Sequence, residues 1–196
     1  MTGAVDLLRE RLAPVRESTI TALLTAQARA IDAGAEIVPE PLRRTPQGAV
    51  KREGRLDLPG RGDLAVTMDG RTLIQRVEGR RSQPFDPFVP LGADGPAAVV
   101  APFRWEDAEI FAEAGAGAPN WTPLRLWYLE WFQPRHTRLA PELCGALHGL
   151  SGPESIDGGW RLHVDFGSAP LSAVGALLVV LDQTGVGAIR IGDRPH

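Results

Sequence analysis

His163 and Asp165 are the residues whose types and spacing come nearest to a chemistry. They stand two apart in the stretch Trp160 to Phe166, where apolar Trp160, Leu162, Val164 and Phe166 alternate with Arg161, His163 and Asp165. A period of two is that of a strand with one face buried, so the imidazole and the carboxylate share the opposite face. An imidazole beside a carboxylate is the pair that general acid–base catalysis uses. Strand ends in open α/β sheets also face ligand crevices. His163 and Asp165 are therefore the candidate catalytic residues, with Arg161 as a neighbour. The same alternation describes any half-exposed strand, which leaves enzymatic activity an open question. Ser151 could join them as a nucleophile, but Gly149-Leu-Ser-Gly-Pro153 does not form the G-x-S-x-G elbow.

Other candidate motifs dissolve on inspection. Cys144 and His148 are four apart, which on a helix places them on one face. Two ligands do not make a zinc site, and His163 or Asp165 would have to supply the rest. A buried cysteine beside an exposed histidine is the plainer expectation, with no metal and no cofactor. Asp165-Phe166-Gly167 spells a kinase magnesium triplet, but the glycine-rich loop, lysine strand and catalytic loop that give it meaning are missing. Gly115-Ala-Gly-Ala-Pro119 does not complete a dinucleotide fingerprint. Arg61-Gly62-Asp63 is a three-letter match with a high chance rate.

The elements that must position these residues begin with the C-terminal unit. After the strand, Gly167 ends the extended run, Ser168 can cap a helix and Pro170 fits its first turn. Ala169 to Leu181 is apolar almost all round, too short to cross a bilayer, and so reads as a buried helix. Gly175 would admit a close neighbour. Gly185 suits a C-terminal cap, and Val186 to Ile191 is extended again. Two strands joined by a helix should run parallel, with a right-handed crossover.

Upstream, residues 4–32 carry helical spacing, with Leu8, Leu12, Val15, Thr19, Ala22 and Ala26 on one stripe and Ile20, Leu23, Leu24, Gln27 and Ile31 on a neighbouring one; Pro14 predicts two helices or a kink. Residues 37–62 form a proline- and glycine-rich connection with a short strand near Leu56 to Leu58. Leu64 to Thr67 and Thr72 to Val77 flank Asp69-Gly70, a hairpin signal. Another proline-rich connection runs from Arg80 to Pro96, and Ala97 to Ala101 reads as a short strand. Pro102 to Ala114, Thr122 to Gln133 and Ala140 to Leu150 read as helices. The fold class is α+β, a mixed α/β arrangement. It is read as one domain over 1–196: a helical segment (1–36), loops with a central β-hairpin (37–101), and helices with a C-terminal β-α-β unit (102–196).

Composition bounds the function classes. The chain has 196 residues, 43% hydrophobic and 23% charged, with a formal net charge of −3. Cys144, the only cysteine, permits no intrachain disulfide, and charges at Asp6, Arg9, Glu10 and Arg11 interrupt any signal-peptide core. A cytoplasmic protein without membrane contact is the expectation. Arg43 to Arg81 holds ten basic and five acidic residues, a local excess of +5 against −8 elsewhere. No aromatic interleaves those arginines to stack on bases, so nucleic acid is not the expected partner.

The most distinctive short stretch is Trp121 to Phe132. A wheel places Trp127, Tyr128, Trp131 and Phe132 in one broad arc, with Leu126 and Leu129 on the other side beside Arg125 and Glu130. Aromatics and arginine are enriched at binding hot spots. Trp121, Arg125, Leu126 and Leu129 are therefore the candidate interface. The leading expectation is a non-catalytic protein–protein interaction or regulatory module that binds a protein partner, a second copy of itself, or both. The alternative is an enzyme or small-ligand-binding domain with a polar site near His163 and Asp165.

Overall fold

The computed structural model describes residues 2–77, 84–90, 97–132 and 143–192. The chain opens with helix α1 (Thr2–Asp32). Strands β1 (Glu36–Pro39), β2 (Arg52–Glu53), β3 (Leu58–Pro59), β4 (Leu64–Met68), β5 (Arg71–Gln75), β6 (Ala98–Val100) and β7 (Ala108–Glu113) follow. Helix α2 (Thr122–Phe132), strands β8 (Gly149–Ile156) and β9 (Gly159–Asp165), helix α3 (Ser172–Gln183) and strand β10 (Ile189–Ile191) complete the described elements. The fold is mixed α+β. A five-stranded sheet has the order β6-β10-β7-β9-β8, a three-stranded sheet the order β1-β4-β5, and β2 pairs with β3.

The C-terminal unit organises the interior. Leu162, Val164 and Phe166 alternate inward along β9, and Trp160 is half-buried. Helix α3 buries Ala173, Val174, Leu177, Leu178 and Leu181. Each fully buried leucine contributes about 1.5–3 kcal/mol relative to an exposed one. Strand β10 is parallel to β9, but the two are not neighbours. β7 lies between them and is antiparallel to both. One continuous core runs from Leu8, Leu12 and Val15 of α1 through Leu124, Trp127, Tyr128 and Phe132 of α2 to α3 and the large sheet. The side chain of Leu8, rather than a backbone, is what meets Gly175.

The hairpin falls on Asp69-Gly70. Both residues have positive φ (51° and 72°), and Met68 pairs with Arg71, which defines a two-residue turn. The strand expected near Leu56 to Leu58 is β3, and Ala97 to Ala101 contains β6. The tryptophan helix starts where Asn120 Oδ1 accepts from Thr122 N at 3.1 Å. Its expected last residue, Gln133, lies outside the described residues, as do parts of the Arg80 to Pro96 connection.

Three expectations are overturned. Pro102 to Ala114 is not a helix. Ala108, Ile110 and Ala112 point inward with period two, while Glu109, Phe111 and Glu113 do not. The residues fit either period, and a place between two partner strands selects the extended one. The helix expected over Ala140 to Leu150 is absent from its described part, 143–150, where the chain runs non-helically into β8. Ser168 does not cap α3. The cap position is Leu171, with no side-chain hydrogen bond. Of the two alternatives at Pro14, the division into two helices is excluded, because α1 continues through it. Pro14 is exposed, so the carbonyl that loses its N–H partner can be hydrated. In the second half of α1 the buried residues Leu23 and Gln27 come from the neighbouring stripe, while Ala22 and Ala26 are half-buried.

Candidate functional site

Where the two larger sheets meet, four chain segments deliver polar side chains to one place. Pro39 pairs with Leu64 at the end of the β1–β4 ladder, so Glu40 and Asp63 leave it side by side. Glu40 N donates to Asp63 O at 3.0 Å. In the large sheet Gly149 pairs with Asp165, which brings His148 alongside the end of β9. His148 N donates to Asp165 O at 2.9 Å, and Arg61 N donates to His148 O at 2.8 Å, stitching the two sheets together.

The His148 side chain is fully buried at this seam. Its Nε2 lies 2.7 Å from Glu40 Oε1 and its Nδ1 lies 2.8 Å from Asp63 Oδ1. Asp165 Oδ1 is 3.9 Å from the same Nδ1. Glu40 is fully buried, whereas Asp63 and Asp165 keep 12% and 25% of their side-chain surface exposed. Glu40 holds a left-handed backbone (φ 46°), uncommon for a residue other than glycine and of a kind that clusters at functional sites. Its carboxylate also accepts from the Ser168 hydroxyl and the Cys144 backbone N–H. Ser168 Oγ in turn accepts from Gly145 N at 2.8 Å. The serine expected to cap a helix instead anchors this network. Gly167, at φ 50°, closes the ring pocket, since a Cβ there would lie 2.2 Å from His148 Cδ2.

The electrostatics follow from this crowding. Burial disfavours the charged form of His148, but Asp165, Asp63 and Glu40 outweigh it and raise the imidazole pKa to about 10. Burial pushes the Asp165 carboxyl up to about 6, against the pull of His148 and with a further push from Asp63. Burial also opposes ionisation of Glu40 and Asp63, yet hydrogen bonding to His148 holds both below the ordinary carboxylate range.

Asp63 and Asp165 open onto a cavity of about 330 Å³, with His148 buried in its floor and with His163, Asp107, Ser151, Arg43 and Arg76 in its walls. His163 sits on β9 with its side chain 39% exposed, and its Nδ1 is 3.2 Å from Asp107 Oδ1. Ser151 is the cross-strand partner of His163. The expected pair, His163 and Asp165, thus shares one cavity. Arg161 turns away to Glu154, at 2.8 Å. Residue types alone did not reveal Glu40 or Asp63 as members of the site, and they single out His148 only as a partner of Cys144. The pairing of Cys144 and His148 on a helical face does not exist, because that segment is not helical, and His148 is buried rather than exposed.

The candidate interface residues lie apart from this cluster, on or next to α2. Leu126 is 59% exposed. Leu129 packs partly against the core, Arg125 Nε donates to Leu56 O at 3.3 Å, and Trp121 meets Trp160 edge-on at 5.3 Å. In the basic segment, Lys51 pairs with Glu53, Arg52 lies 3.8 Å from Asp57, and Arg61 Nη1 donates to Glu40 O at 2.7 Å. Arg80 and Arg81 fall outside the described residues. No helix among the described residues is long and apolar enough to cross a membrane. In comparisons with protein-family models, curated proteins and solved structures, no significant match to this chain was found.

Proposed function

We propose that this chain is an enzyme that binds a small polar molecule in the cavity between its two larger sheets and acts on it by proton transfer. The observation that carries this reading is the convergence onto one cavity of His163 and Asp165 from β9, Asp63 from the residue before β4 and His148 from the residue before β8. Polar groups meeting in a concave site are the usual mark of ligand chemistry. His163 is the proton-transfer group. Asp107 lies 3.2 Å from Nδ1 and Glu109 lies 3.9 Å from Nε2, so the ring is held between two carboxylates at the cavity wall, and Nε2, beyond hydrogen-bond distance of Glu109, is the nitrogen that exchanges a proton with substrate. The anionic floor formed by Asp63 and Asp165 favours a positively charged ligand group. A cytoplasmic setting goes with this reading, since the lone cysteine permits no intrachain disulfide.

The test is a screen of small polar metabolites for thermal stabilisation and turnover, run on the native chain, on His163→Ala and on Asp165→Asn. The expected result is a ligand that stabilises the native chain, binds Asp165→Asn at least about tenfold more weakly, and is bound but not turned over by His163→Ala. Ligands that stabilise all three proteins equally, with equal turnover, would remove the cavity from consideration.

A second reading, docking of a protein partner or a second copy, is favoured by the exposure of Leu126 on α2. Its other candidate residues, Trp121, Arg125 and Leu129, all have contacts within the chain. The pocket therefore supports the first reading more strongly.

A further inference from the structure

We propose that Asp63, His148 and Asp165 bind a divalent cation at the floor of the cavity, with Glu40 holding the histidine from behind. This rests on the reading of that cavity as the working site, and it names the cofactor the site takes.

The three residues each offer one ligand atom, and those atoms all lie within 4.8 Å of one another. Two ligands at right angles on an ion, each about 2.1 Å from it, are separated by about 3 Å. His148 Nδ1 is 2.8 Å from Asp63 and 3.9 Å from Asp165, so small side-chain shifts give both carboxylates a bond to the ion. Asp63 and Asp165 line the cavity with 12% and 25% of their side-chain surface exposed, so water or a substrate oxygen can reach an ion held between them. The walls of the cavity place His163 and its partner Asp107 within the same space.

The surroundings of His148 are those of a ligand. A histidine that coordinates through one nitrogen commonly donates the other N–H to a carboxylate, which fixes the tautomer and the ring. Glu40 stands 2.7 Å from Nε2 and is itself fixed by the Ser168 hydroxyl and the Cys144 N–H. A proton kept on Nε2 leaves the Nδ1 lone pair aimed at the space beside Asp63 and Asp165. The ring packs so closely on Gly167 that a Cβ there would lie 2.2 Å from His148 Cδ2.

Charge points the same way. Three carboxylates surround one imidazole, and among the described residues it is the only cationic side chain hydrogen-bonded to any of them. Arg76 also favours the ionised form of Asp63, and Arg43 and Arg76 stand in the cavity wall, so the excess of negative charge is confined to the floor around the imidazole. Exchanging the Nδ1 proton for a divalent ion raises the local positive charge from one to two. Two carboxylates and one imidazole suit Mn²⁺ or Zn²⁺ better than soft ions.

The experiment uses the full chain, stripped with chelator and titrated with Mn²⁺, with the loss of the free-ion paramagnetic resonance signal as readout. One equivalent should bind. Asp165→Asn should weaken binding by at least about tenfold, and Glu40→Gln, which touches no ion, by about 10–100-fold. Glu53→Gln, which removes a carboxylate from the cavity wall without removing a ligand, should leave the affinity unchanged. Circular dichroism establishes that each variant is folded. His148→Ala is not required, so the test survives if that variant fails to fold. Absence of uptake by the native chain, or uptake weakened no more by Asp165→Asn and Glu40→Gln than by Glu53→Gln, overturns the proposal. Metabolite binding and turnover by the stripped chain without Mn²⁺ uptake would sink the cation site and leave the enzyme reading standing. Specific Mn²⁺ uptake with no small-molecule ligand would do the reverse.

Discussion

His148 shows how much one residue can depend on its neighbours. An imidazole with no exposed surface would ordinarily be neutral, because burial disfavours the charge. Here the carboxylates of Asp165, Asp63 and Glu40 reverse that preference. The linkage follows in sign. With the pKa raised from 6.5 to about 10, the stability this pairing contributes is complete below pH 6.5 and lost as pH rises toward about 10. Asp165, raised from 3.8 to about 6, acts in the same direction over the lower window, since ionising it costs stability as pH passes from 3.8 to about 6. Glu40 and Asp63 act in the opposite sense. Their depressed values contribute stability above the ordinary carboxylate range, and it is lost on acidification. In chelator, the urea midpoint of the native chain should therefore fall between pH 6.5 and about 10, and His148→Gln should flatten that slope. Removing the imidazole leaves buried carboxylates without their counter-charge, so His148→Gln should also cost on the order of 3–5 kcal/mol at pH 6.5. A midpoint that stays level in the native chain would show that His148 is not held charged.

At the scale of elements, the apolar helix α3 and the strand β9 do most to fix the site. Leu177, fully buried in α3, packs within the same core as Leu162 and Val164 of β9 and Phe166 just after it. Leu177→Ala should destabilise the chain by about 2–5 kcal/mol in chemical denaturation, through lost burial and the cavity left behind. A cost below about 1 kcal/mol would mean that the helix collapses onto the gap, and that its packing is looser than the burial indicates. These two elements were legible in the sequence because alternation along β9 and unbroken apolarity along α3 each fit one period and one environment. The hairpin was legible because Asp69-Gly70 supplies the positive φ that a two-residue turn demands. Ala108 to Glu113 was not, since its alternation also fits a helix, and pairing with β9 and β10 decided between the two.

For the whole molecule, the open question is whether α2 meets a partner. Leu126 is the candidate interface residue with the greatest exposure, whereas Leu129 already packs against the core. Leu126→Arg therefore tests association without disturbing the fold. If α2 is an interface, size-exclusion chromatography with light scattering should show an assembly in the native chain and a folded monomer in the variant. An unchanged mass in the two proteins would remove Leu126 as a self-association contact. The sequence by itself determined the mixed α+β class, the buried α3, the turn at Asp69-Gly70 and the shared face of His163 and Asp165. Each is a local property, fixed by period, turn chemistry or spacing. Only the tertiary structure decided that Glu40, Asp63 and His148 meet Asp165. Glu40 and His148 are 108 positions apart, and no local pattern joins them. They meet because the end of the β1–β4 ladder abuts the start of β8, a consequence of how the two sheets pack.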